Sequence, residues 1–221
     1  MALLKKQDYV EIEYTGRTKD DNSVFDTTSE KVARENNLYD EHSKYRSLVI
    51  CLGGSHLLKG LEEQIIGKET GKEYEFEIGH EQAFGRKDAR LIRMVPIGKF
   101  KEHKIQPVPG LHLNIDGVFG IVKTASGGRC LVDFNHPLSG KDLRYSIKIG
   151  RIIEDDAEKI KSILSYHLGV EDAKLEIKDG KAEISLKNKL AGEMQHHLNH
   201  EITSTIKSIQ EVVFTISEEI K

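Results

Sequence analysis

Alternating and helical patterns of apolar residues follow one another along this chain, and together they predict a mixed α+β fold. Residues 48–52 form an uninterrupted apolar run, which is typical of a buried strand, and Gly53 and Gly54 break it. From residue 57 to residue 66, apolar side chains recur at intervals of three and four, with charged residues on the other side. This segment predicts a short amphipathic helix, and the alternating residues 72–78 predict the next strand.

The segments before this unit predict two strands joined by a polar turn. Residues 8–14 alternate, with apolar side chains on one face, and residues 24–26 form a second, shorter strand. Residues 30–39 have helical spacing among charged residues, which would allow one or two helical turns. The role of this polar stretch stays open: it is either a surface loop or a flap that borders a binding pocket.

Four short motifs stand in order along the chain. They are Tyr-Thr-Gly at residues 14–16, Val-Phe-Asp-Thr-Thr at 24–28, Leu-Gly-x-x-x-Leu-Leu-x-Gly-Leu-Glu at 52–62, and Ala-Phe-Gly at 83–85. Together they resemble the core of the FKBP-type peptidyl-prolyl cis-trans isomerases. The resemblance implies an antiparallel sheet wrapped on a short helix, with that helix as the floor of a proline-binding pocket.

The resemblance also implies roles for individual residues. The catalytic groups of the pocket would be Tyr14, Phe25, Asp26, Leu58, Phe84 and Tyr145. Three leucines would bind substrate at the wall, rim and floor: Leu48, Leu57 and Leu61. In this arrangement Leu58 offers its backbone N–H to the substrate carbonyl, and Asp26 is the buried polar group near the isomerising bond.

Two positions depart from the pattern of the well-known short family members. Leu61 stands where those members have a tryptophan floor, although the SlyD-like branch also has leucine there. Phe84 replaces a tyrosine, so a hydrogen bond from its hydroxyl to a substrate or inhibitor is lost. One such bond contributes about 1 kcal/mol. We therefore expect isomerase activity to persist and the binding of macrolide-type inhibitors to weaken.

Residues 86–137 interrupt the isomerase pattern before its last strand, which residues 143–149 resemble. The interruption has alternating apolar segments of its own, with Asp116 and Gly117 as a hairpin turn. The positions that resemble the insert-in-flap domain of SlyD-like isomerases are residues 95–96, Phe100, residues 109–111 and residues 132–140. That resemblance, strongest to the long archaeal members, implies binding of unfolded segments. The candidate substrate-binding residues are Phe100, Leu111 and Phe119, which could equally fill a small β core.

From residue 154 onwards the order of patterns is helix, strand, strand, helix, strand, which predicts a small α+β domain. A helical stripe of apolar residues from Leu190 to Ile209 could bind a partner helix in a homodimer, or pack on its own hairpin. The chain therefore predicts three parts: an isomerase domain at residues 1–85 and 138–153, an inserted flap domain at 86–137, and a C-terminal α+β domain at 154–221.

Composition narrows the class of protein. The chain has 221 residues and a net charge of -3, which argues against a general nucleic-acid partner. No apolar run approaches the roughly 18 residues of a transmembrane helix, and residues 1–6 are too short for a signal peptide. The expected location is therefore the cytoplasm, with no membrane partner. Cys51 and Cys130 lie in apolar segments and are expected to be buried free thiols.

Two histidines raise the question of a metal site. His196 and His200 are four residues apart on the predicted long helix, so they share a face, and this spacing can begin a zinc or nickel site. No third ligand motif accompanies them, and the histidine-rich tail of many bacterial SlyD proteins is absent. We expect a solvent-exposed or interface cluster, no bound metal and no cofactor.

The function that the resemblance implies is peptidyl-prolyl cis-trans isomerisation, which would accelerate protein folding limited by proline. The rotation barrier of a peptide bond is about 18–20 kcal/mol. An apolar pocket lowers it by binding the twisted amide better than either planar form, without a nucleophile. The partners would be unfolded polypeptides with X–Pro segments, and the insert would add chaperone activity. The alternative is a non-enzymatic holdase that uses the same fold only to tether clients.

Overall fold

The computed structural model describes residues 2–115 and 117–216. Its strands, in chain order, are β1 (Tyr9–Thr18), β2 (Val24–Thr27), β3 (Leu48–Cys51), β4 (Glu73–Ile78), β5 (Ile92–Pro96), β6 (His112–Ile115), β7 (Val118–Ser126), β8 (Arg129–Asp133), β9 (Leu143–Ile153), β10 (Lys174–Lys178), β11 (Lys181–Leu186) and β12 (Glu211–Ile216). Its α-helices are α1 (Glu30–Glu35), α2 (Lys59–Ile65), α3 (Ile97–Glu102), α4 (Asp156–Leu168) and α5 (Gly192–Thr205). The predicted mixed α+β class is confirmed.

The chain forms two compact units. One consists of Met1–Ile78 with Arg144–Lys221, and the other is the continuous segment Gly79–Leu143. The second unit contains the predicted insert together with several residues on either side of it. The finer division into three domains stays a prediction.

The first unit is built around a five-stranded sheet with the order β2-β1-β9-β4, and β3 also pairs with β1. β1 is long enough to bind two antiparallel strands end to end: Tyr9–Ile12 pairs with β3, and the segment from Thr15 to Arg17 pairs with β2. Alternation along β1 buries Val10 and Ile12, as the pattern predicts. This arrangement brings the ends of β2 and β3 to the same edge of the sheet.

The short helix α2 lies where periodicity predicts it, but it begins later. Leu58 has an extended backbone, with ψ of 136°, and forms the N-cap, so the helical turns begin at Lys59. Leu61 and Ile65 are fully buried on one face. Leu57 and Leu58 therefore belong to the loop that leads into the helix.

The C-terminal segment contains the predicted helix, hairpin, helix and strand. β10 and β11 pair antiparallel through a turn at Asp179 and Gly180, which both have positive φ, and β11 pairs parallel with β12. α4 ends where Gly169 adopts the left-handed conformation, with φ of 67°. These elements follow in the predicted order, but α5 ends at Thr205, so Ile206 and Ile209 of the predicted helical stripe lie beyond the helix.

One hydrophobic core joins the C-terminal segment to the first sheet. Tyr9 and Cys51, from β1 and β3, are each 1% exposed and belong to the same cluster as the apolar faces of α4 and α5. The hydroxyls of Tyr9 and Thr205 lie 2.6 Å apart. The remaining buried members of this core are Ile153, Ile160, Ile163, Leu164, Ala173, Ala182, Ile184, Leu186, Leu198, Ile202, Ile206, Ile209 and Val212.

The second unit has a four-stranded sheet of its own, with the order β5-β8-β7-β6 and antiparallel pairing throughout. Its core consists of Phe100, Leu113, Val122, Cys130 and Val132. β5 and α3 are elements that the sequence pattern did not predict. Of the predicted hairpin turn, Gly117 has a φ of 81°, whereas Asp116 lies outside the described residues.

Cys51 and Cys130 are buried free thiols, which confirms the prediction. Burial raises the pKa of Cys51 to about 11 and also raises the pKa of Cys130. Among residues 2–115 and 117–216, no helix has the length and apolar character that crossing a membrane requires.

Candidate functional site

Three aromatic side chains meet at one end of the first sheet. The ring of Tyr145 packs edge-on against Phe25, with centroids 5.7 Å apart, and lies 6.1 Å from the ring of Tyr14. Gly16 makes this possible, because a Cβ there would lie 2.6 Å from Phe25 Cζ and 3.0 Å from Tyr145 Cε1. We refer to Tyr14, Phe25 and Tyr145 as the aromatic cluster.

Asp26 lies beside the aromatic cluster, and its environment differs from the expectation. The Tyr14 hydroxyl donates a hydrogen bond of 2.7 Å to Asp26 Oδ2. The carboxylate is exposed rather than buried, because β2 is a short strand at the edge of the sheet. Burial, followed by the charge of Asp26 and its hydrogen bond, raises the pKa of Tyr14 well above the usual range. Tyr14 is therefore a stable hydrogen-bond donor.

A cavity of about 340 Å³ opens beside these groups. The predicted site residues that line it are Tyr14, Phe25, Asp26 and Leu48. Its opposite side comes from α1 and the following loop, through Ala33, Leu38, Ser43, Lys44 and Tyr45. The polar stretch after β2 therefore borders this cavity, as the flap hypothesis predicts.

Local capping explains how the segment after β2 is held in place. Ser29 accepts a hydrogen bond from the backbone N–H of Val32 and begins α1. Thr28 bonds to both the N–H and the carbonyl of Tyr14, so the start of the segment is attached to β1. Helical spacing over residues 30–39 was the signal for Ala33 and Leu38, although it could not show that they would face a cavity. Ser43, Lys44 and Tyr45 lie beyond that pattern.

The three leucines of the predicted floor and rim lie in or before α2. Leu61 is 1% exposed, whereas Leu57 and Leu58 are half-buried. Leu57 lines a second groove together with Tyr14 and Leu48. Phe84 belongs to the other compact unit, where its ring stacks on His136 with centroids 4.4 Å apart. The structure thus brings Tyr14, Phe25, Asp26 and Leu48 to one cavity, with Tyr145 packed against two of them.

The predicted substrate residues of the insert differ in exposure. Phe100 is fully buried in the insert core, and Leu111 packs against that core. Phe119 is 48% exposed on β7. Other large apolar side chains exposed on this unit are Met94, Val108 and Val118.

A partly buried network of histidine and glutamate was not predicted. His56 and His167 each lie within hydrogen-bond distance of one oxygen of Glu201, at 2.9 and 2.7 Å from their Nε2 atoms. His56 Nδ1 accepts a hydrogen bond of 3.0 Å from the backbone N–H of Cys51. Burial opposes ionisation of Glu201, but these histidines lower its pKa overall. Sequence periodicity gives no signal for such contacts, because they join residues 34 and 145 positions apart.

This network has three potential metal-ligating groups close together. A zinc-bound histidine normally donates its second ring nitrogen to an acceptor. His56 does the opposite: its Nδ1 faces the Cys51 N–H and must be unprotonated, so the proton of the neutral ring is on Nε2, facing Glu201. The donor pattern therefore fits a hydrogen-bond network better than a metal site. His196 and His200 are both exposed on α5, as expected of a solvated pair.

A buried carboxylate fixes the end of β8 in the second unit. Asp133 accepts hydrogen bonds from Lys87 Nζ at 2.7 Å and from the backbone and side-chain nitrogens of Asn135 at 3.0 and 2.8 Å. Asn135 in turn accepts from the N–H of Asp88. Burial alone would raise the pKa of Asp133, but Lys87 and Asn135 lower it to about 2.

Comparison with known families assigns both parts of this architecture. The family described as FKBP-type peptidyl-prolyl cis-trans isomerase matches residues 2–96. The family described as the FKBP26 IF domain matches residues 93–138. These matches cover the aromatic cluster except for Tyr145, and most of the second unit.

Individual relatives agree with the family matches. The short-type peptidyl-prolyl cis-trans isomerase of Methanocaldococcus jannaschii is 33% identical over 156 residues, which is 71% of this chain and 98% of the relative. The SlyD protein of Helicobacter pylori, named an FKBP-type peptidyl-prolyl cis-trans isomerase, is 26% identical over 131 residues, or 58% of this chain and 70% of the relative. An FKBP-type 16 kDa isomerase of Escherichia coli is 28% identical over 102 residues, or 44% and 68%. The chain therefore belongs to the FKBP-type peptidyl-prolyl cis-trans isomerases and carries an insert-in-flap domain.

Proposed function

We propose that the cavity beside the aromatic cluster binds the proline of an X–Pro segment and accelerates rotation about the preceding peptide bond, so that folding limited by proline isomerisation proceeds faster. The observation that carries this proposal is a cavity lined by Tyr14, Phe25, Asp26 and Leu48, with the ring of Tyr145 packed against both aromatic rings. Uncatalysed isomerisation takes about 10–100 s, so even a moderate acceleration matters during folding.

The chemistry requires no proton transfer and no covalent intermediate. When the amide twists, it loses resonance and its carbonyl becomes less polar, so water solvates the twisted form less well than the planar one. An aromatic pocket that excludes water therefore favours the twisted form over either planar form. Among the predicted groups, the backbone N–H of Leu58 would donate to the substrate carbonyl, while Leu57 and Leu61 would supply the rim and the floor.

Tyr14 and Asp26 have a positioning role in this proposal. The hydroxyl of Tyr14 donates its hydrogen bond to Asp26 Oδ2, and this bond fixes the ring against Tyr145. Phe84 would complete the pocket by the family resemblance, without the hydroxyl of a tyrosine. We therefore retain the expectation of weak macrolide binding.

For the insert, we propose capture of unfolded polypeptide and hence chaperone activity. Support comes from its exposed apolar side chains Met94, Val108, Val118 and Phe119. Phe100 would act indirectly, because it fills the core that supports β7 and β8. Leu111, half-buried beside this core, would contribute at its margin. The alternative is a non-enzymatic holdase in which both units only tether clients.

Replacement of residues 86–137 by a short loop separates these functions. Isomerisation would be measured on a tetrapeptide with one Ala–Pro bond and on a slowly refolding protein limited by proline. We expect the variant to retain most activity on the tetrapeptide and to lose most of its acceleration of refolding. If the full-length chain accelerates neither reaction, the enzyme proposal fails and the holdase alternative replaces it.

A second experiment tests the pocket residues. Phe25→Ala removes an aromatic wall of the cavity, and Tyr145→Ala removes the ring that packs against Phe25 and Tyr14, so we expect kcat/KM on the tetrapeptide to fall on the order of tenfold or more. Phe214→Ala is the matched control, because Phe214 packs against the core of the C-terminal segment and is not part of the cavity lining. Equal losses of kcat/KM in all three variants would mean that general destabilisation, and not the change in the pocket, lowers the activity.

We further propose a cytoplasmic location and retain the homodimer as a hypothesis. The two cysteines are free thiols, which suits a reducing compartment. A homodimer through the C-terminal segment would elute at twice the monomer mass in size-exclusion chromatography with light scattering. A monomeric full-length chain at micromolar concentration would rule out the homodimer.

A further inference from the structure

We propose that a groove between β3 and α4 binds the polypeptide segment next to the proline, so that the C-terminal segment takes part in substrate recognition. This inference rests on the proposed function of the neighbouring cavity. The groove has a volume of about 440 Å³. That volume lies within the range of pockets that hold small ligands, and it can accommodate a few residues of extended chain. We call it the side groove.

The side groove is continuous with the proposed proline cavity. Tyr14 and Leu48 line both spaces. A substrate polypeptide whose proline occupies the cavity would therefore have its adjacent residues at the groove. Leu57, a predicted rim residue, also lines the groove. Tyr166 on α4 lines the same groove as Tyr14.

The far wall of the side groove comes from α4. Tyr166 is 53% exposed, an unusual state for an aromatic side chain on a helix that otherwise packs into a core. Its ring stacks on His56 with centroids 4.5 Å apart, so its orientation is fixed. An exposed but oriented aromatic ring is a suitable contact for an apolar side chain of a bound polypeptide.

The near wall offers backbone hydrogen-bonding groups. The backbone of Leu52 bonds to β1 through Asp8 and Gln7, whereas the N–H of Cys51 points the other way, to His56. Because backbone groups alternate along a strand, the N–H and carbonyl of Val49 also point away from β1. Val49 lines the groove. An extended chain could therefore bond to Val49 as an added strand does, which requires no particular sequence.

The charged residues that line the groove are nearly balanced, which disfavours a strongly charged ligand: Glu11, Glu158 and Glu171 are acidic, and Arg46 and Lys161 are basic. Arg46 forms an ion pair with Glu171 at 2.6 Å and a hydrogen bond with Ser165 on α4. Glu158 on α4 pairs with Arg151. Neither sign of charge dominates, so the lining suits an uncharged backbone with apolar side chains. This is the chemistry of an unfolded polypeptide.

Two sets of contacts hold the groove walls in place. Lys44 and Arg46, from the segment that borders the proline cavity, both bind Glu171 after α4. On the other side, His56 links the loop before α2 to Glu201 on α5. The C-terminal segment thus fixes both the flap side and the rim side of the cavity. A preformed groove binds a flexible chain at a lower entropic cost than one that must be ordered first.

The first test compares short and long peptides. The probes are a tetrapeptide with one Ala–Pro bond, and two twelve-residue peptides that extend it with leucine-containing segments on the N-terminal or the C-terminal side only. We expect the wild-type chain to have a higher kcat/KM for at least one long peptide than for the tetrapeptide. Tyr166→Ala should lower the ratio of kcat/KM for that long peptide to kcat/KM for the tetrapeptide about tenfold. Tyr166→Phe should restore most of this ratio.

A matched substitution on another helix controls for indirect effects. Ser204 is exposed on α5 and does not line the side groove, so Ser204→Ala should leave the ratio unchanged. Long peptides with glycine and serine in place of leucine should lose most of the increase in kcat/KM over the tetrapeptide. If wild type and Tyr166→Ala give the same ratio, the side groove does not bind substrate and the inference is overturned.

A direct binding measurement covers the case in which Tyr166→Ala does not fold. The chain contains no tryptophan, so Tyr166→Trp places a single indole in the groove. Titration with a long peptide should shift its fluorescence in a saturable way, and Ser204→Trp should show no shift. An unchanged Tyr166→Trp signal at peptide concentrations that saturate isomerisation would contradict the inference. Failure of the wild-type chain on the tetrapeptide would instead contradict the proposed function itself.

Discussion

Gly16 determines how closely the aromatic cluster can pack. A methyl group at this position would lie 2.6 Å from Phe25 and 3.0 Å from Tyr145, which is closer than van der Waals contact. We expect Gly16→Ala to displace Phe25, to destabilise the chain by about 1–3 kcal/mol and to lower kcat/KM on a tetrapeptide. Urea unfolding and the peptide assay would measure both effects.

Gly98→Ala is the control for this substitution. Gly98 lies in α3, and a Cβ there would meet no atom within 4 Å. Alanine also has the higher helix propensity, so stability should stay equal or increase slightly. If Gly16→Ala behaves like Gly98→Ala, the packing of the aromatic cluster tolerates a methyl group and our account of Gly16 is wrong.

The Asp133 carboxylate should make stability depend on pH. Its pKa is about 2 in the folded chain, below the unfolded value of about 3.9, so its stabilisation is present above pH 4 and is lost as the pH falls towards 2. The side chain is 4% exposed, and the shift corresponds to about 2 kcal/mol. Asp133→Asn should therefore be less stable than wild type at pH 7 in urea unfolding, with a difference that shrinks below about pH 4.

The exposed pair of Asp172 and Lys187 provides the comparison for Asp133. Both side chains are more than 60% exposed, and exposed ion pairs contribute about 0–1 kcal/mol. Asp172→Asn should change stability little at any pH. A pH-independent difference between wild type and Asp133→Asn would mean that loss of packing, and not loss of the charge, destabilises the variant.

At the scale of elements, α4 depends on the glycine that ends it. Gly169 has a φ of 67°, which costs other residues about 1–2 kcal/mol. We expect Gly169→Ala to lower the free energy of unfolding by about 1 kcal/mol. Gly192→Ala, at the first residue of α5, should be neutral or stabilising, since a Cβ there meets no atom within 4 Å. Equal effects of the two substitutions in urea unfolding would contradict this assignment.

Periodicity predicts elements well where one face is buried against a large core. The helix α4 and the hairpin of β10 and β11 follow in the order that the pattern after residue 154 predicts, because local signals and burial agree there. β5 and α3 were not predicted. They are short, and only Phe100 is buried among them, so the apolar pattern is too sparse to indicate a period.

The candidate site was only partly visible in the sequence. Motif order identified the residues of the aromatic cluster, but it placed Asp26 in a buried environment, whereas an edge strand leaves the carboxylate exposed. The contacts of Glu201 with His56 and His167 depend on how α4 and α5 pack on the first sheet. Such packing is set by the summed shape of many side chains, and no short motif encodes it.

At the scale of the whole molecule, the shared core links the C-terminal segment to the stability of the first sheet. A chain that ends at residue 153 would expose the side chains of Tyr9 and Cys51, which are buried against α4 and α5 in the full chain. Each such side chain contributes about 1.5–3 kcal/mol when buried. We therefore expect this shortened chain to have a lower urea midpoint or to aggregate.

A chain that ends at residue 216 controls for this truncation, because it retains every described contact of the C-terminal segment. Its urea midpoint shows how much shortening the chain by itself changes stability. If the chain ending at residue 153 also unfolds at the wild-type midpoint, the C-terminal segment is an independent domain and the shared core contributes little to stability.

The two free cysteines allow the opening of each hydrophobic core to be measured separately. Cys51 lies in the core of the first unit and Cys130 in the core of the second, and a buried, protonated thiol reacts slowly with alkylating reagents. Modification of each thiol therefore reports how often its own core opens, as amide exchange does for backbone groups. Mass spectrometry of labelled peptides would resolve the two rates in one sample. If client polypeptides loosen only the second unit, Cys130 should react faster in their presence while the rate at Cys51 stays constant.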